Sequence, residues 1–121
     1  MSAAPDRAVA TVALVVAGYD EAIAWYTQKL GFWLVEDIDS GGGKRWVVVA
    51  AGTRGARLLL AQASGDAQVA RIGDQAGGRV FLFLETDDFE RDHGEMRRRG
   101  VTFREAPRQE GYGTVAVFSD L

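Results

Sequence analysis

The alternation of apolar and polar positions divides the chain into two similar halves. Val9 to Ala17 is a nearly continuous apolar run, rich in valine, and reads as a buried strand ending at Gly18. Asp20 and Glu21 follow, acids suited to the positive end of a helix. Ala22, Trp25, Tyr26 and Leu30 recur at helical spacing, and Gly31 is a natural stop. Phe32 to Ile38 reads as a second strand and Ser40 to Gly43 as a glycine-rich turn. Arg45 to Ala51 and Ala56 to Ala63 read as two more strands, joined through a turn containing Gly52 and Gly55. Ser64 to Gly78 is small and polar, and reads as a linker with room for one helical turn. The pattern then restarts. Arg79 to Glu85 is an apolar strand, and Asp87 and Asp88 open a helix carrying Phe89, His93 and Met96 on one stripe. Gly100 stops it, Val101 to Glu105 is a short strand, Pro107 to Gly113 a turn region, and Thr114 to Ser119 a last strand.

A shift of 70 positions lays Thr11 on Phe81, Tyr19 on Phe89 and Asp20 on Glu90, with the stop glycines Gly31 and Gly100 one residue out of step. The chain thus reads as one domain of the α+β class, spanning residues 1–121, built from two pseudo-symmetric βαβββ modules. Module one covers 8–63, the linker 64–78 and module two 79–121. A lone unit leaves one sheet face uncovered. Two units can curve their sheets around a shared cavity with the helices outside, and function then belongs in the cleft between the sheets.

Composition narrows the partners. A net charge of −3 over 121 residues, 26% of them charged, argues against a nucleic-acid or anionic-membrane surface. The one basic run, Arg97 to Arg99, reads as a solvated helix end suited to the C-terminal dipole. With no cysteine there is no disulfide, thiolate metal site or thiol nucleophile, in keeping with a cytoplasmic location. Met1 to Arg7 lacks the apolar core of a secretory signal, and no apolar run is long enough to span a membrane.

The segment Val12 to Val16, followed by Tyr19 to Tyr26 and Lys29-Leu30-Gly31-Phe32, resembles the opening of proteins of the vicinal oxygen chelate superfamily, which comprises glyoxalases, bleomycin-resistance proteins and extradiol dioxygenases. Phe83 to Phe89 with Arg99-Gly100-Val101 is similar to the restart of that fold, and Tyr112 to Phe118 with Asp120 to its final strand. The resemblance implies paired βαβββ modules and a homodimer. It also implies a divalent metal in the members that do chemistry, held by imidazole and carboxylate groups with open positions for substrate oxygens. In this sequence the first-strand histidine position falls on Thr11, the fourth-strand acid on Leu59 or Leu60, and the fifth-strand histidine on Phe81. The last-strand acid would follow a Gly-Asn turn beyond the final strand, so the C-terminal end of module two is expected past Leu121. The expected metal ligands are therefore none, and no cofactor is called for.

The remaining candidates are judged one by one. His93, the only histidine, lies on the apolar stripe of the second helix and reads as a packing residue. Asp87 and Asp88 read as helix caps. Alternation places Glu85 with Phe81 and Phe83 on one strand face. It reads either as an inward acid, serving as base or as anchor for a cationic ligand, or as a strand-end acid that reaches water or pairs with a nearby arginine. Arg45 and Trp46 are adjacent on a strand, so only one of them faces the cavity, as an anion anchor or as a stacking surface. Tyr112, between two glycines, either aims at the cleft mouth or packs on the surface. The leading expectation is a small-molecule binding protein resembling the bleomycin-resistance branch. Trp46, Phe81 and Phe83 would be its walls, Arg45, Glu85 and Tyr112 its polar anchors, and Thr11 would lie nearby. The competing expectation is a lyase, isomerase or dioxygenase with an atypical or intersubunit metal site, or with Glu85 as a metal-free base.

Overall fold

The computed structural model describes residues 4–121; residues 1–3 of the Met1–Arg7 segment lie outside the described residues. The first half forms a four-stranded sheet ordered β1-β4-β3-β2, from β1 (Thr11–Val16), β2 (Trp33–Gly41), β3 (Lys44–Ala50) and β4 (Arg57–Gln62). β1 and β4 run parallel, and the other pairs are antiparallel. Helix α1 (Tyr19–Ala24) continues into a wider π turn, Trp25–Lys29, and covers one face. Alternation selects what it meets. Leu14 and Val16 of β1, Val47 and Val49 of β3, and Leu58 and Leu60 of β4 are buried with Tyr19 and Ala22 of α1 and Tyr26 of the π turn in one cluster. Each large apolar side chain buried there contributes about 1.5–3 kcal/mol. Ala22 is fully buried, so α1 lies close against the strands.

Outside the helices, β1 presents a free edge. Its Val15 N–H donates to Gln75 Oε1 (3.2 Å), and Gln75 Nε2 donates back to the Val15 carbonyl (2.7 Å), so a linker side chain occupies part of that edge. The linker also carries the single helical turn α2 (Asp66–Val69).

The second half contains α3 (Phe89–Arg98) and four short strands: β5 (Thr102–Phe103), β6 (Arg108–Glu110), β7 (Gly113–Val115) and β8 (Phe118–Ser119). They pair as β5 with β8 and β6 with β7, both antiparallel. The strand expected at Arg79 to Glu85 is corrected: this segment has no ladder partner. In module one the leading strand β1 is held by β4. Among the described residues no strand takes that place in module two. The last strand expected at Thr114 to Ser119 is split into β7 and β8.

The two halves meet where their helices end. Gly31 and Gly100 both hold positive φ (73° and 89°), which a residue with a Cβ adopts only with strain. A Cβ on Gly31 would stand 3.2 Å from Arg99 Nη1, and one on Gly100 2.8 Å from Lys29 Nζ. Each stop glycine thus leaves room for the last-turn cation of the other module, and Arg99 donates to the Gln28 carbonyl at the end of the π turn (3.3 Å). The fold is α+β, with a curved, unclosed sheet.

Candidate functional site

The face of the sheet turned away from α1 is open. The strand register defines its rows: Ala13, Leu59, Val48 and Glu36 lie side by side across all four strands, and Ile38 pairs with Trp46. Thr11 pairs with Arg57 and Trp33 with Ala50. Because Val49 faces Leu58, the next step of the same register sets Ala50 beside Arg57. A bulge between Leu34 and Glu36 brings Trp33, Glu36 and Ile38 onto one face, although Trp33 and Glu36 differ in parity. The face exposes large apolar side chains: Trp33 is 64% exposed, Trp46 44%, and Ile38 also stands largely free. Trp46 Nε1 donates to Glu36 Oε2 at 2.7 Å, which fixes the indole across the strand pair. At one end of the face lies a cleft of about 350 Å³ lined by Trp33, Ala50, Thr53 and Arg57 among others.

The expected site residues separate into three groups. Trp46 and Thr11 are on this face, and so is Leu59, whereas Leu60 is buried against α1. Arg45 is not: it shares the helix-covered face with Val47. Its guanidinium bonds Asp37 through Nε and Nη2 (3.1 and 2.7 Å) and Asp20 through Nη1 (2.9 Å), and it lies 5.2 Å from the Tyr19 ring centre. Its N–H also donates to Tyr19 Oη at 3.1 Å. The guanidinium holds the Asp37 carboxyl below the usual carboxylate range. Arg45 is therefore an internal brace with no fork left for a ligand.

The third group lies on module two. Phe81 packs against the first-module core, while Phe83 is 90% exposed. Alternation assumed a paired strand and does not govern this segment, so residues 81, 83 and 85 do not line one shielded wall. Leu82 and Leu84, between them in sequence, are exposed as well. The Glu85 carboxylate is 82% exposed and accepts from Arg54 Nη2 at 3.2 Å, so it stands in solvent rather than among aromatic walls. Tyr112 sits in the exposed turn between β6 and β7. His93 stacks on Phe89 (5.3 Å between centres) and touches Phe103 (4.5 Å), the arrangement of a packing residue. Asp88 Oδ1 accepts from the Arg91 N–H (3.1 Å) as the cap of α3, whereas Asp87 makes a side-chain ion pair with the Arg91 guanidinium and does not cap the helix.

Comparison with known proteins now has a geometry to stand on. The family model of the Glyoxalase/Bleomycin resistance protein/Dioxygenase superfamily matches residues 8–121. The chain belongs to that superfamily. An uncharacterised protein of Shewanella frigidimarina (strain NCIMB 400) is 53% identical over 117 residues, 95% of this chain and 87% of that protein. UcmS2 superposes with a TM-score of 0.80 at 28% identity, over 96% of this chain and 92% of that one. TnmS3, an antibiotic binding protein from Streptomyces sp. CB03234, superposes with a TM-score of 0.76 at 28% identity, over 94% and 87%. The divalent metal that the vicinal oxygen chelate resemblance implies does not fit the residues present. Thr11 offers a weak neutral oxygen, and Leu59 and Phe81 offer no donor. Among the described residues no three His, Cys, Asp or Glu side chains lie close enough to hold a metal together. No helix of the described residues is long and apolar enough to cross a membrane.

Sequence reading missed Trp33, Glu36, Ile38 and Arg57 on this face. The bulge that realigns β2 leaves no mark in composition. In Arg57-Leu58-Leu59-Leu60 the unbroken leucines hide which parity faces outward.

Proposed function

We propose that this superfamily member binds a small organic molecule on the open face of its sheet, without a metal, and that a second copy of the chain helps to close that face. One observation carries the reading: two exposed indoles, Trp33 and Trp46, share an apolar face whose ligand positions hold Thr11 and Leu59 in place of metal donors. Covering about 100 Å² of that surface with a flat ligand contributes about 2.5 kcal/mol, and ring stacking adds about 0.5–1.5 kcal/mol. TnmS3 is described as binding an antibiotic, which supports a sequestering role over a catalytic one. The exposed Val80, Leu82, Phe83 and Leu84 suit a partner copy, because a monomer leaves them in water. The absence of cysteine suits work in the cytoplasm.

The test is a panel of planar polycyclic aromatic compounds, read by the indole N–H resonances of Trp33 and Trp46 and by thermal shift. Elemental analysis runs on the same protein, purified without chelator. Binding that moves both resonances, is lost in Trp46→Ala and needs no metal is the expected result. About one tightly held transition metal per chain, or a full panel that moves neither indole, refutes it.

A further inference from the structure

One row of the open face carries chemistry the general reading does not use. Trp33, Ala50, Arg57 and Thr11 stand side by side on β2, β3, β4 and β1, on the same face. Neighbouring strands lie about 4.8 Å apart, so the Trp33 and Arg57 backbones are about 10 Å from one another. The residue between them is alanine, the smallest side chain with a Cβ. The row is therefore a trough with an alanine floor, an indole on one side and a guanidinium on the other. The turn after β3 opens its end with Gly52 and Gly55, neither of which has atoms crowding its Cβ position. The cleft of about 350 Å³ takes in Trp33, Ala50 and Arg57 of this row, with Thr11 on the next strand outside its lining; it falls within the size range of small-molecule sites, about 300–1,000 Å³.

The charges of the region leave Arg57 free. Among the described residues it has no ion pair, and its one hydrogen bond outside the ladder runs from its N–H to the Ala10 carbonyl (2.9 Å). Of the acids named so far, Asp20 and Asp37 are paired with Arg45 on the opposite face, Glu85 with Arg54, and Glu36 of the open face accepts from the Trp46 indole. In a chain of net charge −3, an unpaired guanidinium on an otherwise apolar face is a local exception. Its planar fork suits a carboxylate, and the Thr11 hydroxyl, one strand further, is placed to donate to the same group.

Resting on the binding role proposed above, we infer that the ligand is a flat aromatic acid. Its ring lies over Ala50 against the Trp33 indole, and its carboxylate meets Arg57 with Thr11 beside it. The probes are 2-naphthoate and its neutral counterpart 2-naphthalenemethanol, each titrated into the full chain by calorimetry. The indole N–H resonances of Trp33 and Trp46 are followed in parallel. The acid binds about tenfold more tightly than the alcohol and moves the Trp33 resonance. Arg57→Gln removes that preference while leaving the alcohol's affinity and the amide spectrum of the fold unchanged, and Arg57→Lys retains part of it. If both probes bind equally, or Arg57→Gln leaves naphthoate untouched, the acid assignment is overturned while the binding face stands. If neither probe moves either indole at millimolar concentration, the face is not a ligand surface and both readings fall.

Discussion

Tyr26 and Asp120 offer the most direct test of how the two halves are held together. The Tyr26 ring is 2% exposed beneath α1, edge-on to Trp25 and tilted against Phe32. Its hydroxyl donates to Asp120 Oδ2 at 2.7 Å, joining positions 94 residues apart. A hydrogen bond to a charged acceptor contributes about 1.5–3 kcal/mol. Tyr26→Phe keeps the ring volume, and the Asp120 carboxylate, at the surface, recovers water, so the expected loss falls to about 1–1.5 kcal/mol. Asp120→Ala instead strands a buried hydroxyl and costs about 1–3 kcal/mol, while Asp120→Asn keeps an acceptor and costs less. Urea unfolding of the two single variants and the double variant should give a coupling near about 1 kcal/mol. The same pair has a pH signature. Burial, then the hydrogen bond to Asp120, then the carboxylate charge all push the Tyr26 phenol well above its ordinary value. The folded value lies above the unfolded one, so the stabilisation is complete below about pH 10 and is lost as pH climbs toward the folded value. This group's share falls by up to about 1.4 kcal/mol per pH unit there. Subtracting the Tyr26→Phe curve isolates it from the other tyrosines. A Tyr26→Phe variant as stable as the parent, with a flat difference curve from neutral to alkaline pH, would refute the reasoning.

Two further outcomes are expected. Asp88→Ala, which removes the side-chain acceptor for the Arg91 N–H, lowers stability by about 1 kcal/mol in urea unfolding, and Asp88→Asn restores most of it. Light scattering at micromolar concentration gives the mass of a homodimer, and replacing the exposed Phe83 and Leu84 with serine shifts it toward the monomer.

The first module was legible because its signals agree with one another. Valine-rich strands, an acid-opened helix and a glycine stop all specify the same βαβββ unit, and the strand ends moved by one or two residues, except that β2 runs three residues past Ile38 to Gly41. The second module carried the same signals but not the same outcome at residues 79–85. Apolar alternation states a preference for a sheet; a ladder also needs a partner, and sequence periodicity says nothing of whether one is present. The open face was half legible. Parity alone leaves Arg45 and Trp46 as alternatives, and the decision comes from Asp20 on α1 and Asp37 on β2, which together draw the guanidinium to the helix side. Gln75, whose amide occupies the edge of β1, gave no signal at all, because any polar linker residue would look the same in sequence.

The chemistry of the open face follows from what stands in its central row. Ala13, Leu59 and Val48 offer no lone pair, and the fourth member, Glu36, already accepts from Trp46. A divalent cation placed there would have to give up hydration oxygens with nothing to replace them, a far larger cost than one carboxylate could offset. Leucine at 59 and threonine at 11, where the superfamily resemblance implies metal donors, therefore leave this row without groups to hold a cation, and Arg57 at the margin of the face is its one charge without an ion pair among the described residues.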